Sequence, residues 1–197
     1  MDVRSLSPVF DRQRGERGMT AAILLWSLLA APGTVTVVPA SAAELDMRPF
    51  LALVKEPALE ALPATARTFR FLWLPPFQSQ RTICVRVQEG AGGPELEAKA
   101  VTSDGKPDVH VKRKLTKQEW ETLASAREDG FWKYQPETFP QPVFDGGYWV
   151  IEGQAGGERL RLIQHVPKAG AFRILGYLMF RLSGIRLRES EASLRER

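Results

Sequence analysis

The feature that most constrains this chain is a set of six short runs in which apolar and polar residues alternate, separated by stretches rich in glycine, proline and serine. "TFRFLWL" (68–74) sets Phe69, Phe71 and Trp73 against Arg70 and Leu72, and Pro75 and Pro76 end it. "RTICVRVQ" (81–88) sets Ile83, Val85 and Val87 against Cys84 and Arg86, and "EGAGGP" turns the chain. "ELEAKAVTS" (95–103) and "DVHVKRKL" (108–115) follow on either side of "SDGKP", and "YWVIE" and "RLRLIQ" flank "GQAGG". A period of two is that of a strand whose two faces meet different surroundings. The first four runs predict consecutive antiparallel strands, and the last two a hairpin.

The glycines of "DGGYWVIEGQAGGERLRLIQHVP" (145–167) raise the question of a phosphate loop. A dinucleotide loop opens a helix, because the pyrophosphate rests on the helix amino terminus. Here strand-like sequence stands on both sides, and no G-x-x-x-x-G-K-[ST] pattern occurs. The stretch reads as a hairpin turn. Centring it between Ala155 and Gly156 sets Glu152 against Arg159, Ile151 against Leu160 and Trp149 against Leu162, whereas a slip of one residue sets Glu152 against Glu158.

Two helices complete the pattern. In "LTKQEWETLASARED", Thr116 and Glu119 have the spacing of a capping box, Leu115 and Trp120 that of a hydrophobic staple, and Gly130 is expected to stop the helix. In "AGAFRILGYLMFRLSGIRL", Phe172, Leu175, Gly176, Met179 and Leu182 recur at helical spacing, and Ser183-Gly184 offers an exit. With Arg173 and Arg181 inside it, this helix does not span a bilayer, which takes about 20 apolar residues. It packs across the sheet or, on the rival reading, touches a membrane surface with its basic amphipathic face. The expected fold is α+β: an antiparallel sheet of about six strands with two helices on one face, in the order ββββ-α-ββ-α. This single domain covers 67–187, after an irregular arm over 43–66 broken by Pro49, Pro57 and Pro63, and before a charged tail over 188–197.

The amino terminus has the order of an export signal. Arg4, Arg12, Arg14 and Arg17 precede the uncharged apolar run "TAAILLWSLLAAPGTVTVV", and Ala40 and Ala42 take the −3 and −1 places of a cleavage site before Ala43. Pro32 and Gly33 interrupt the apolar run, which disfavours the alternative of an uncleaved anchor. Residues 1–42 therefore read as a signal peptide, and the protein as periplasmic or secreted. Removing them takes away four arginines and three acids, and leaves 23 basic and 20 acidic residues. A surplus that mild does not indicate nucleic acid.

Scarce residue types narrow the chemistry. Cys84 is the one cysteine, so the chain forms no internal disulfide, and among apolar neighbours it reads as a small buried strand residue. The two histidines, His110 and His165, have no partner at metal-ligand spacing, so no metal site is expected, and no cofactor motif is present. The candidate ligand-binding residues are Tyr148, Arg159, Arg161 and His165 on the hairpin, where basic side chains beside an aromatic ring could hold an anionic group. The favoured function is a non-enzymatic binding or interaction module, with another envelope protein or an anionic ligand as partner. The alternative is a small hydrolase-like enzyme using an acid/His pair, Asp145 and His165, although no nucleophile elbow accompanies them.

The combination of "FRFLWLPPF", "LTKQEWETL" with "GFW", "DGGYWVIEGQAGG" and "AFRILGYLMFRLSG", over roughly 67–185, resembles a family of uncharacterised bacterial exported proteins. The resemblance implies a bacterial, exported protein, and brings no activity, ligand or site residue with it.

Overall fold

The computed structural model describes residues 36–39, 45–75, 81–134, 147–165, 167 and 169–188. All of them belong to one compact unit, Pro32–Arg197. The charged tail beyond 188, most of the segment read as a signal peptide and the proline-containing loop at 135–146 lie outside the described residues.

The alternating runs form strands β2 (Thr68–Leu74), β3 (Thr82–Gln88), β4 (Glu95–Val101), β5 (Pro107–Lys114), β6 (Tyr148–Ala155) and β7 (Glu158–His165). Neighbours among these six are antiparallel, in the spatial order β7-β6-β2-β3-β4-β5. The hairpin thus docks beside β2 and not beside β5. That placement makes β2 central, and all seven of its residues are buried, Arg70 included. A short seventh strand, β1 (Thr36–Pro39), runs parallel to β7 and falls within the segment read as a signal peptide.

The hairpin register differs from the expected one by two residues. Glu152 faces Arg161, Ile151 faces Leu162 and Trp149 faces Gln164, with Ala155 opposite Glu158. Turn chemistry decides the matter. A two-residue hairpin turn whose twist suits the strands needs positive φ at both central residues, and Gly156 and Gly157 adopt φ of 59° and 87°. The expected centre would have forced Ala155 into that left-handed region, which costs a residue with a Cβ roughly 1 kcal/mol or more.

Layers cover both faces of the sheet. On one face, Phe69, Phe71, Trp73, Val85, Ala98, Trp149 and Ile151 meet helix α3 (Gly170–Ser183) through Phe172, Leu175 and Met179, and helix α2 (Lys117–Arg127) through Leu123. The apolar stripe of α3 is therefore core. On the other face, Met47, Leu51 and Val54 of the arm cover Leu72, Leu74, Cys84, Val101, Val150 and Ile163. The arm is not simply irregular: it contains helix α1 (Arg48–Val54), with Pro49 in its first turn where a missing N–H costs nothing, and a 3-10 turn at Leu59–Ala61. The third helix lies on the face opposite the other two.

Helix α2 starts as its sequence indicates, with the Glu119 N–H donating to Thr116 Oγ1 at 3.2 Å and the Thr116 N–H donating to Glu119 Oε2 at 2.8 Å. It does not stop at Gly130. The chain continues through a π-helical turn, Glu128–Trp132, and Gly130 serves close packing, since a Cβ there would stand 2.8 Å from the Ala171 carbonyl oxygen.

Glu119 also receives both terminal nitrogens of Arg113, at 2.9 and 2.8 Å. Those bonds first, and the Thr116 amide second, lower its pKa from 4.5 to about 2. A carboxyl lowered on folding stabilises the protein fully above its unfolded pKa, and that contribution fades as pH falls toward the folded value. Between pH 4.5 and 2 the thermal midpoint of the wild type should thus fall more steeply than that of Glu119→Gln; parallel acid titrations of the two by calorimetry check this.

Candidate functional site

Chemistry gathers on the arm side of the sheet. One rung across six strands reads Arg161, Glu152, Arg70, Arg86, Glu97 and Lys112, each opposite the next in register. Arg70 and Arg86 are directly opposed like charges, which is unfavourable unless something stands between them. Glu56 of the arm does so, with its carboxylate 3.6 Å from Arg70, 3.2 Å from Arg86 and 2.6 Å from Lys99 Nζ.

Glu152, with no exposed surface, sits between two arginines. Arg70 donates to its Oε2 through Nε at 2.8 Å and through a terminal nitrogen, and Arg161 donates to its Oε1 at 2.5 Å. Arg70 also donates to the Pro57 carbonyl at 2.8 Å. Within this layer, Arg70, Arg86, Lys99 and Arg161 are matched by Glu56, Glu60, Glu97 and Glu152. A buried ionic group persists only when it is paired and hydrogen-bonded, and here the arm completes the pairing.

Local geometry explains how the arm reaches inward. Lys55, at the carboxy-terminal cap of α1, has φ 54°, a left-handed conformation that few residues with a Cβ adopt. The kink turns Lys55 to solvent and Glu56 into the layer.

Beside that kink lies a cleft of about 300 Å³ between the end of α1 and the β4–β5 hairpin. Leu53, Val54, Val101, Pro107 and Val109 give it an apolar lining, and Lys55, Lys99, Glu97 and His110 a polar one. Glu97 is held by Arg86, by Lys99 at 3.4 Å and by His110 Nε2 at 2.9 Å. Burial, the largest influence on Glu97, pushes its pKa up, but His110, Lys99 and Arg86 together outweigh it and leave the carboxyl lowered. For Lys99 burial again opposes the charge, and Glu56 with Glu97 overcomes it, so its pKa is raised. Both groups are charged at neutral pH. Lys55 makes no ion pair among the described residues.

The structure places the four residues picked from the hairpin sequence on this same arm-facing side. Tyr148 and His165 are opposite one another, with ring centroids 4.8 Å apart. Arg159 donates to Gln154 Oε1 and to the Leu62 carbonyl, each at 2.8 Å, and Arg161 bonds Glu152 and approaches Glu60 at 3.3 Å. Both arginines therefore fasten the arm to the sheet. Asp145, the acid of the hydrolase alternative, lies outside the described residues.

Sequence reasoning missed Glu56, Lys99 and His110 as neighbours. Their union depends on an arm that folds back over β3 and β4, and the only local trace of it was polar residues at the even positions of β3 and the odd positions of β4. Among the described residues no three His, Cys, Asp or Glu side chains gather as metal ligands do, and no helix is long and apolar enough to cross a membrane. Comparison of the chain with protein-family models, with curated proteins and with solved structures returns no match in any of the three.

Proposed function

We propose that the protein is exported and processed before Ala43, and works as a non-enzymatic binding module that takes a small amphipathic anion in the cleft between α1 and the β4–β5 hairpin. The cleft carries this reading. Its volume of about 300 Å³ is at the lower end for a small-molecule site, and an apolar lining with a few convergent polar groups is the usual composition of such sites. Its one acid, Glu97, is paired with Arg86 and Lys99 and hydrogen-bonded to His110, so the surplus charge of the rim is the cation of Lys55. An apolar body lies against Leu53, Val101 and Pro107, and an anionic end meets Lys55 beside His110. The export half rests on the basic, apolar and Ala-x-Ala order of residues 1–42 and on the family resemblance.

Octanoate is the probe. Titrated into the protein, it should shift the His110 ring resonances saturably, and Lys55→Glu and Leu53→Trp, the one reversing the charge and the other filling the cleft from its arm side, should each weaken binding by about tenfold or more. Shifts that survive both substitutions, or that never saturate, refute the cleft as the seat. Detection of residues before Ala43 in the exported protein by mass spectrometry refutes the processing step.

A further inference from the structure

The two edges of the sheet differ. At one edge, β5 begins with Pro107 and exposes Asp108, His110, Lys112 and Lys114, and charge and proline on an edge strand discourage further pairing. At the other, β7 has no proline, carries Leu160, Leu162 and Ile163, and its two arginines are tied inward to Gln154, the Leu62 carbonyl and Glu152. Its outer side is occupied instead by β1, in parallel, with Thr36 opposite Leu160, Val37 opposite Arg161, Val38 opposite Leu162 and Pro39 opposite Ile163.

That strand ends at Pro39, and the Ala-x-Ala signal spans Ala40 to Ala42. Removing residues 1–42 removes the whole strand. The backbone groups that β7 turned toward β1 then need new partners, because an open row of N–H and C=O groups beside an apolar strand is a template for another strand.

We propose that β7 is a docking edge which β1 keeps closed in the precursor, and that processing before Ala43 opens it to an extended segment of another exported protein, laid parallel to β7. The inference rests on the export reading and adds a partner to it. Register sets the chemistry of that segment, because residues opposite one another share a face. The residue opposite Leu162 joins the α3 side and the residue opposite Ile163 the arm side, and both neighbours are buried, at 1% and 7% exposure, so both incoming residues are apolar. The residue between them and the amino-terminal end of the pair lies opposite Arg161 and accepts a polar or acidic side chain. Backbone bonds give affinity, and these alternate positions give selectivity, as in strand addition generally.

The test compares three forms: the full-length chain, the same chain after signal peptidase treatment, and full-length Val37→Pro, in which a proline in the middle of β1 disfavours the strand. The probe is a synthetic peptide of residues 34–40, TVTVVPA. Backbone amide exchange over 160–163 should be at least about tenfold faster in the processed and Val37→Pro forms than in the full-length chain, with β2 and β3 unchanged, and the peptide should restore protection in both. Equal exchange in all three, or failure of the peptide to restore it in the two opened forms, overturns the docking edge. A processed protein that dimerises and buries β7 against its own copy also overturns it, since two-fold pairing of β7 would be antiparallel. If the peptidase leaves the chain intact while Val37→Pro still binds the peptide, the export-linked opening is overturned along with the processing reading.

Discussion

Replacing Glu152 by alanine is expected to destabilise the protein by about 3–5 kcal/mol, the cost of removing one partner from a buried ion pair, and to lower the thermal midpoint by roughly 10 °C in a domain of this size. The side chain has no exposed surface and answers both Arg70 and Arg161. Its loss leaves the Arg70 guanidinium, 4% exposed, facing Arg86 with Glu56 as the remaining acid. Arg161, at 13%, still has Glu60 within 3.3 Å and lies nearer to water, so most of the cost falls on Arg70. Removing both members of the pair should be far milder, because a well-packed apolar pair needs no compensating charge. Arg70→Leu combined with Glu152→Leu should recover more than half of the loss, as read by calorimetry or by circular dichroism melts. A single mutant within about 2 °C of the wild type, or a double mutant no better than the single, would show that the layer is screened by water.

A loss of similar size is expected from the opposite face. Phe131→Ala should cost about 3–5 kcal/mol, the range for deleting a large buried aromatic. Phe131 is fully buried and meets Phe69 and Trp132 edge to face, with centroids 5.0 and 4.8 Å away. It occupies space that exists because residue 153 is glycine, since a Cβ there would stand 2.5 Å from the Phe131 ring. A compensation follows. Gly153→Val, which overpacks the wild-type core, should regain about 1 kcal/mol or more in the Phe131→Ala background by filling the hole. Urea unfolding of the two single mutants and the double gives the coupling directly, and strict additivity would mean that the two positions do not share one space.

The parts of the fold legible in the sequence were those encoded within a few residues. Alternation over Phe69, Phe71 and Trp73 marked a strand, and Thr116 with Glu119 marked a helix start, because each signal depends only on backbone period or on a contact three residues long. The hairpin was legible and its register was not, because positive φ at both Gly156 and Gly157 outweighs side-chain pairing in placing the turn. Gly130 was misread for a related reason: a glycine that admits a neighbour's backbone looks the same in sequence as one that ends a helix.

The candidate site was the least legible part. Alternation sets Arg70 and Arg86 opposite the apolar positions of two strands without saying what covers them, and what makes Arg70 interior is Glu152, 82 residues beyond it, together with Glu56 on the far side of a proline. Pro57 and Pro63 looked like breakers, yet their carbonyls accept from Arg70 and Gln154 across sequence gaps of 13 and 91 residues. A proline cannot donate but accepts as well as any residue, and no local pattern says which distant donor it meets.

The position of Cys84 gives the protein a chemical clock. This thiol, the only one in the chain, is 1% exposed beneath Met47, Leu51 and Val54, and burial drives its pKa up to about 12. At neutral pH it is a protonated thiol behind a lid of arm residues, and only the thiolate attacks. An alkylating reagent therefore reacts when α1 lifts from β3, and not before. The ratio of that rate to the rate in the unfolded chain reports the free energy of lifting the arm, residue 84 acting as its own unmodified reporter.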